Sequence, residues 1–162
     1  MTSPSSPYGS PFRLASPPRV RSIPSLAETA YAVGRMSAQW DERGYGMWAV
    51  EERDGGELVG RIGLLYHPDS PAGEDRVEIA WSLQRDRWGR GYATEGASAA
   101  RDWAFAKLDI PRLISITIPE NRRSWHVMEK LGFTRRAERQ PWHGFDVEWW
   151  ALDRPDWERP RT

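Results

Sequence analysis

Three groups of residues have types and spacings that suit chemistry. The first is Trp88-Gly89-Arg90-Gly91-Tyr92-Ala93-Thr94, between a strand-like and a helix-like stretch. Its glycines allow a ligand to approach the backbone closely. A helix starting there adds unpaired N–H groups and the positive end of its dipole, so the segment could cradle a pyrophosphate. A plain turn would use the same glycines. The second group is Asn121-Arg122-Arg123-Ser124, which opens a short helix. Asn121 and Ser124 are equally ordinary helix caps. The third is Glu78, in an alternating run from Arg76 to Leu83. Glu78, Ala80 and Ser82 share one face of it, and Val77, Ile79, Trp81 and Leu83 the other. A carboxylate beside small residues suits a general base. The alternative is a solvated glutamate paired with Arg85 or Arg87.

The elements that must position these groups can be read from the pattern. Leu26, Ala30, Val33 and Met36 recur at helical spacing after Pro24, and Gly44 and Gly46 end that helix. Trp48 to Arg53 and Glu57 to Tyr66 read as a hairpin around Asp54-Gly55-Gly56. His67 to Gly73 is a loop and Arg76 to Leu83 a third strand. Thr94 to Lys107 is a helix with a small face of Ala93, Ala97, Ala100 and Ala104. Leu113 to Ile118 is a buried strand, Ser124 to Leu131 a helix closed by Gly132, and Phe133 to Glu138 and Phe145 to Leu152 two last strands. The class is α+β, a mixed, mostly antiparallel sheet of about six strands with three or more helices. Residues 1–22, rich in Ser and Pro and free of acid, read as a disordered tail. Residues 23–154 form a single domain, and 155–162 an irregular tail.

Composition removes several functions. The 162 residues contain no cysteine, which excludes disulfides, thiolate metal sites and a cysteine nucleophile. Lys+Arg and Asp+Glu both number 23, a balance that gives no electrostatic support to a nucleic-acid partner. His67, His126 and His143 lack metal-ligand spacing and read as surface or partly buried polar residues, so no metal is expected. No apolar run is long enough to span a membrane, and the expected location is cytoplasmic. A P-loop lacks its Gly-Lys-Ser/Thr, and a dinucleotide fingerprint lacks its third glycine, at Thr94, and its acid after the next strand.

The order strand, Gly-x-Gly-x-Ala, helix, strand, Asn-x-x-Ser, helix, Leu-Gly-Phe, strand resembles the GNAT family of acyl-CoA N-acyltransferases. The segments VEIAWSL, WGRGYATEG and NRRSWHVMEKLGF are closest to its RimJ/RimL-type branch. The resemblance runs from about Tyr31 to Leu152. It implies acetyl-CoA as co-substrate, with pyrophosphate on the amides of Gly89, Arg90, Gly91, Tyr92 and Ala93, and Trp88 and Thr94 flanking. Pantetheine would lie between splayed strands Arg76–Leu83 and Leu113–Ile118, lined by Asn121 and Ser124. The reaction would be direct acetyl transfer to a primary amine, of a small molecule or a protein N-terminus. Glu78 is the candidate base, and a backbone N–H near Ile79, Ala80 or Trp81 the oxyanion donor. Many relatives carry a proton-donating Tyr where this chain has Met128, so Ser124 or water would protonate the thiolate. The family's usual first strand and first helix would fall in the Ser/Pro stretch. A degenerate binding module for CoA is the alternative. Trp81, Trp142, Trp149 and Trp150 could line an acceptor pocket or simply pack in the core, and Asp146 and Glu148 could attract a cationic amine. A Trp-rich last strand at a sheet edge would suit a homodimer.

Overall fold

A computed structural model describes residues 25–159. The tail expected over 1–22 lies outside them. Helix α1 (Leu26–Arg43) starts on a reciprocal cap: the Ser25 hydroxyl accepts the Glu28 N–H at 3.1 Å, and the Glu28 carboxylate accepts the Ser25 N–H at 2.8 Å. None of its residues is buried; Trp40 meets Trp48 edge-on at 5.4 Å, and polar bonds add to the docking. The Gln39 amide donates to the carbonyls of Tyr45 and Leu64 and accepts the Tyr66 N–H, each at 3.0 Å.

Six strands follow: β1 (Met47–Glu51), β2 (Leu58–Tyr66), β3 (Val77–Leu83), β4 (Arg112–Thr117), β5 (Thr134–Trp142) and β6 (Phe145–Asp153). They form one sheet in the order β1-β2-β3-β4-β6-β5. All neighbours are antiparallel except β3 and β4. That parallel pair needs a crossover, which α2 (Tyr92–Lys107) provides; α3 (Arg122–Leu131) likewise carries the chain from β4 to β5. The expected α+β class and six-strand mixed sheet are therefore observed among the described residues. Among them no helix is long and apolar enough to cross a membrane.

Alternation divides the sheet into two packed faces. On one, Ile62, Leu64, Ile79, Leu113 and Trp150 meet α2 and α3. The alanine face expected on α2 lies there, with Ala97, Ala100 and Ala104 almost wholly buried. Gly96 continues it, because a Cβ there would come within 2.5 Å of Ile62 Cδ1. On the other face Ile114, Ile116, Val147 and Ala151 pack with Trp142 and Trp149.

Some boundaries differ from expectation. Helix α2 begins at Tyr92, two residues early, because Gly91 adopts the left-handed conformation and serves as its cap. Strand β5 runs on to Trp142, held by its pairing with β6. The C-terminal stretch is not irregular from Pro155: α4 (Arg154–Glu158) has Pro155 in its first turn, where proline is favoured. Trp157 of α4 stacks on Phe105 at 5.1 Å. The Trp-rich last strand is not at an edge either, since β6 lies between β4 and β5. The four candidate pocket tryptophans fall on opposite faces, Trp81 and Trp150 on one and Trp142 and Trp149 on the other, so they line no common pocket.

Candidate functional site

The glycine loop joins β3 to α2 through a short 3-10 turn at Arg85–Arg87. Gly89 (φ 78°) and Gly91 (φ 87°) both occupy the left-handed region, where an L side chain is strained, and a Cβ on either would meet open space. The ends of the helices differ. Helices α1 and α3 begin under side-chain caps, whereas α2 begins at Gly91 with no side-chain cap. Its first-turn N–H groups, with Ala93 and Thr94 among them, face outward from the loop with the dipole behind them.

Carboxylates on the β1–β2 hairpin brace this loop. Glu52 accepts from Arg87 at 3.0 Å and from the Tyr92 hydroxyl at 2.8 Å, and Arg90 lies 3.6 Å away. Arg87 also pairs with Glu57. The hydrogen bond to Glu52 pushes the Tyr92 phenol above its ordinary range. Glu52 is a site residue that sequence reasoning did not find. It stands 35 residues or more from its partners, and only the sheet brings them together.

The second motif meets the first. Trp88 is exposed, its indole N–H donates to the Leu83 carbonyl at 3.0 Å, and the Arg123 guanidinium lies 4.5 Å from its ring centre. The glycine loop and the start of α3 therefore share one rim, and the Arg85 guanidinium lies 5.9 Å from the Trp88 ring centre. Asn121 and Ser124 form the α3 cap: the Asn121 oxygen accepts the Ser124 N–H at 3.3 Å, and its amide donates to the Ser124 hydroxyl at 2.9 Å. The Ser124 hydroxyl keeps its own proton to donate. Met128, one turn further on, is fully buried beneath this rim.

Strands β3 and β4 pair at a single position, Glu78 with Ile114. Beyond it, side chains connect them. The Ser115 hydroxyl donates to the Ile79 carbonyl at 3.1 Å, and the Glu78 carboxylate accepts the Ile116 N–H at 3.0 Å. Ala80 and Trp81 lie past this point, half-buried, and among the described residues β2 is the only strand they pair with. The strands thus part at Glu78, and the gap opens toward the Trp88–Arg123 rim.

Glu78 is neither solvated nor paired with Arg85 or Arg87. It is 7% exposed, and its second oxygen lies 2.6 Å from His67 Nε2. His67, expected at the surface or partly buried, is 6% exposed because the register that pairs Tyr66 with Val77 carries it beside β3. Trp142 sits edge-on to its ring at 5.1 Å. Of the two acidic residues considered for an amine, Asp146 is exposed, whereas Glu148 is buried with one oxygen 3.3 Å from Arg135.

Two parting parallel strands, an uncapped helix start behind a left-handed glycine loop, and a basic rim suit a long anionic ligand with a slim arm. This chain belongs to the GNAT acetyltransferase family: residues 9–134 match the model of the Acetyltransferase (GNAT) domain. The match begins inside the Ser/Pro-rich stretch. The solved acetyltransferase from Agrobacterium tumefaciens str. C58 is 31% identical, with a TM-score of 0.67 over 82% of this chain and 74% of that one. YkkB of Bacillus subtilis (strain 168) is 31% identical over 107 residues. That alignment spans 65% of this chain and 61% of YkkB, less than two thirds of that relative's length. A spermidine N-acetyltransferase from Vibrio cholerae, solved in complex with CoA and spermine, shares the fold with a TM-score of 0.65 at 16% identity, over 85% of this chain and 80% of that one.

Proposed function

We propose that this protein transfers the acetyl group of acetyl-CoA directly to a primary amine. The observation that carries the reading is the meeting of the two motifs at one rim, Arg123 against Trp88, above the point where β3 and β4 part. Pyrophosphate would lie on the amides from Gly89 to Thr94, with Arg90 beside it, and pantetheine in the gap past Ile79, bordered by Asn121 and Ser124.

The reaction forms a C–N bond and breaks the thioester C–S bond. The acceptor arrives as an ammonium ion and releases one proton before it attacks. The attacking nitrogen's second proton ends on the departing thiolate. A backbone N–H of β3 near Ile79 or Ala80 would face the developing oxyanion, and the Ser124 hydroxyl would protonate the thiolate. Glu78 supplies the negative charge on which deprotonation of the acceptor rests, as base or as relay. The acceptor is a small polycationic amine, as the CoA and spermine complex of the Vibrio cholerae relative suggests, or a peptide α-amine.

Calorimetric titration with acetyl-CoA, with NAD as control, tests the cradle. Saturable binding of acetyl-CoA alone is expected. Gly91→Val should weaken it at least 10-fold, because valine is strained at that φ. A folded chain that ignores acetyl-CoA would refute the proposal. Met128, in place of a proton-donating tyrosine, favours a second reading, a CoA-binding module without turnover. Release of free thiol with a panel of amines, abolished in Ser124→Ala or Glu78→Gln, would exclude it.

A further inference from the structure

We propose that the base of this reaction is His67, held in its basic tautomer by Glu78, and that it takes the acceptor's proton from the cavity between α1 and the end of β2. The proposal rests on the acetyl-transfer reading and assigns one more residue to it.

The two side chains are 8% and 9% exposed, and Nε2 lies 2.6 Å from the carboxylate. A desolvated carboxylate accepting an imidazole N–H fixes which nitrogen carries the hydrogen and stabilises the imidazolium that forms. With Nε2–H directed at Glu78, the lone pair is on Nδ1. The sheet, not a loosely held loop, sets this geometry, because the His67 N–H donates to the Arg76 carbonyl at 2.9 Å as a further rung of the β2–β3 ladder.

The pair spans two places that chemistry must connect. Glu78's other oxygen accepts the Ile116 N–H where β3 and β4 part. His67 lines the cavity, together with Gln39, Glu42 and Arg43 of α1 and with Tyr66 and Pro68. One proton must leave the ammonium ion before attack, and this arrangement gives it a path. The N–H bond of the acceptor breaks, a proton joins Nδ1 directly or through one water, and the imidazolium rests against Glu78 until the proton leaves through the cavity. A buried Glu78 acting alone would hold that proton away from solvent.

Other charges that face His67 are few. From α1 they are Arg35, Glu42 and Arg43, whose guanidinium lies 3.3 Å from the centre of the Tyr66 ring. Just before β3 there is Arg76, whose hydrogen bond holds the Tyr66 phenol below its usual range. Beyond Trp142 stands the pair of Asp69 and His143, 2.8 Å apart. Glu78 is the one carboxylate in contact with the ring among the described residues.

The experiment is the pH profile of kcat/KM for acetyl transfer to a responsive amine, in wild type, His67→Gln and His67→Ala, with acetyl-CoA affinity and Tm measured alongside. The glutamine amide can still donate to Glu78, which guards against misfolding. In wild type the rate should show an acid limb, because a base that already holds a proton cannot take the acceptor's. In His67→Gln that limb should vanish and the plateau fall about 100-fold or more, with acetyl-CoA affinity unchanged. Added imidazole should restore rate to His67→Ala, because the vacated ring site adjoins the cavity. An unaltered profile in His67→Gln, or an equal loss at every pH with no rescue, would overturn the proposal while leaving acetyl transfer intact. A wild-type chain that acetylates no amine would remove the reaction, and this base with it.

Discussion

At the scale of single residues, charge is placed to hold backbone in position. Asp153, at the end of β6, accepts from Arg112 and Arg136, and Arg112 also reaches Asp75 at 2.8 Å. Burial alone would raise the Asp153 pKa, but the two guanidiniums outweigh it and hold the carboxyl below its ordinary range. The stabilisation is therefore fully present above the unfolded carboxylate range and is lost as pH falls through the lowered value. Asp153→Asn should cost about 1 kcal/mol near neutrality and nothing in strong acid. Urea melts of both proteins at neutral and low pH would check this, with curves that converge in acid. Little of this was legible in the sequence. The glycines at 89 and 91 and the cap at Asn121 and Ser124 could be found because each acts within a few residues of itself. His67 with Glu78, and Glu52 with Arg87 and Tyr92, are joined only through strand register. No local pattern carries that information.

At the scale of elements, α1 is the outlier. Its apolar residues Leu26, Tyr31 and Val33 are exposed, and the Gln39 amide supplies much of its attachment. Gln39→Leu would strand two carbonyls and one N–H, at about 1–3 kcal/mol. Amide exchange should then quicken throughout α1 while the amides of β3 and β4 keep their protection. Uniform acceleration across both would show that α1 is integral to the global unit. Strands and long helices were legible because their period is written in apolar residues, as in Val77-Glu78-Ile79 and in Ala97, Ala100 and Ala104. The start of α1 falls just after Pro24, as its stripe beginning at Leu26 implies, and the Ser25–Glu28 cap sets it. The short α4 was missed because a single turn has no period to read, and tertiary contacts make it: Trp157 needs Phe105.

At the scale of the whole molecule, the C-terminal residues close the structure. Arg154 donates to the carbonyls of Phe105, Leu108 and Ile110 at 2.9, 2.7 and 3.0 Å, so a residue that follows the last strand caps the end of α2. Arg154→Ala should cost about 2–3 kcal/mol. A fall in Tm of roughly 5–10 °C would register it, whereas an unmoved Tm would show that solvent replaces those bonds. The strand order has a further consequence, for synthesis. β5 is made before β6, yet among the described residues β6 is its only partner in the sheet and is also the outer neighbour of β4. Until residues 145–153 have left the ribosome, β4 has an open edge and β5 nothing to pair with. The first three strands can assemble before that point, but the second half of the sheet must wait for β6 to emerge. A message that stops short of Phe145 would yield a polypeptide with an open edge on β4 and an unpaired β5, a substrate for chaperones or proteases.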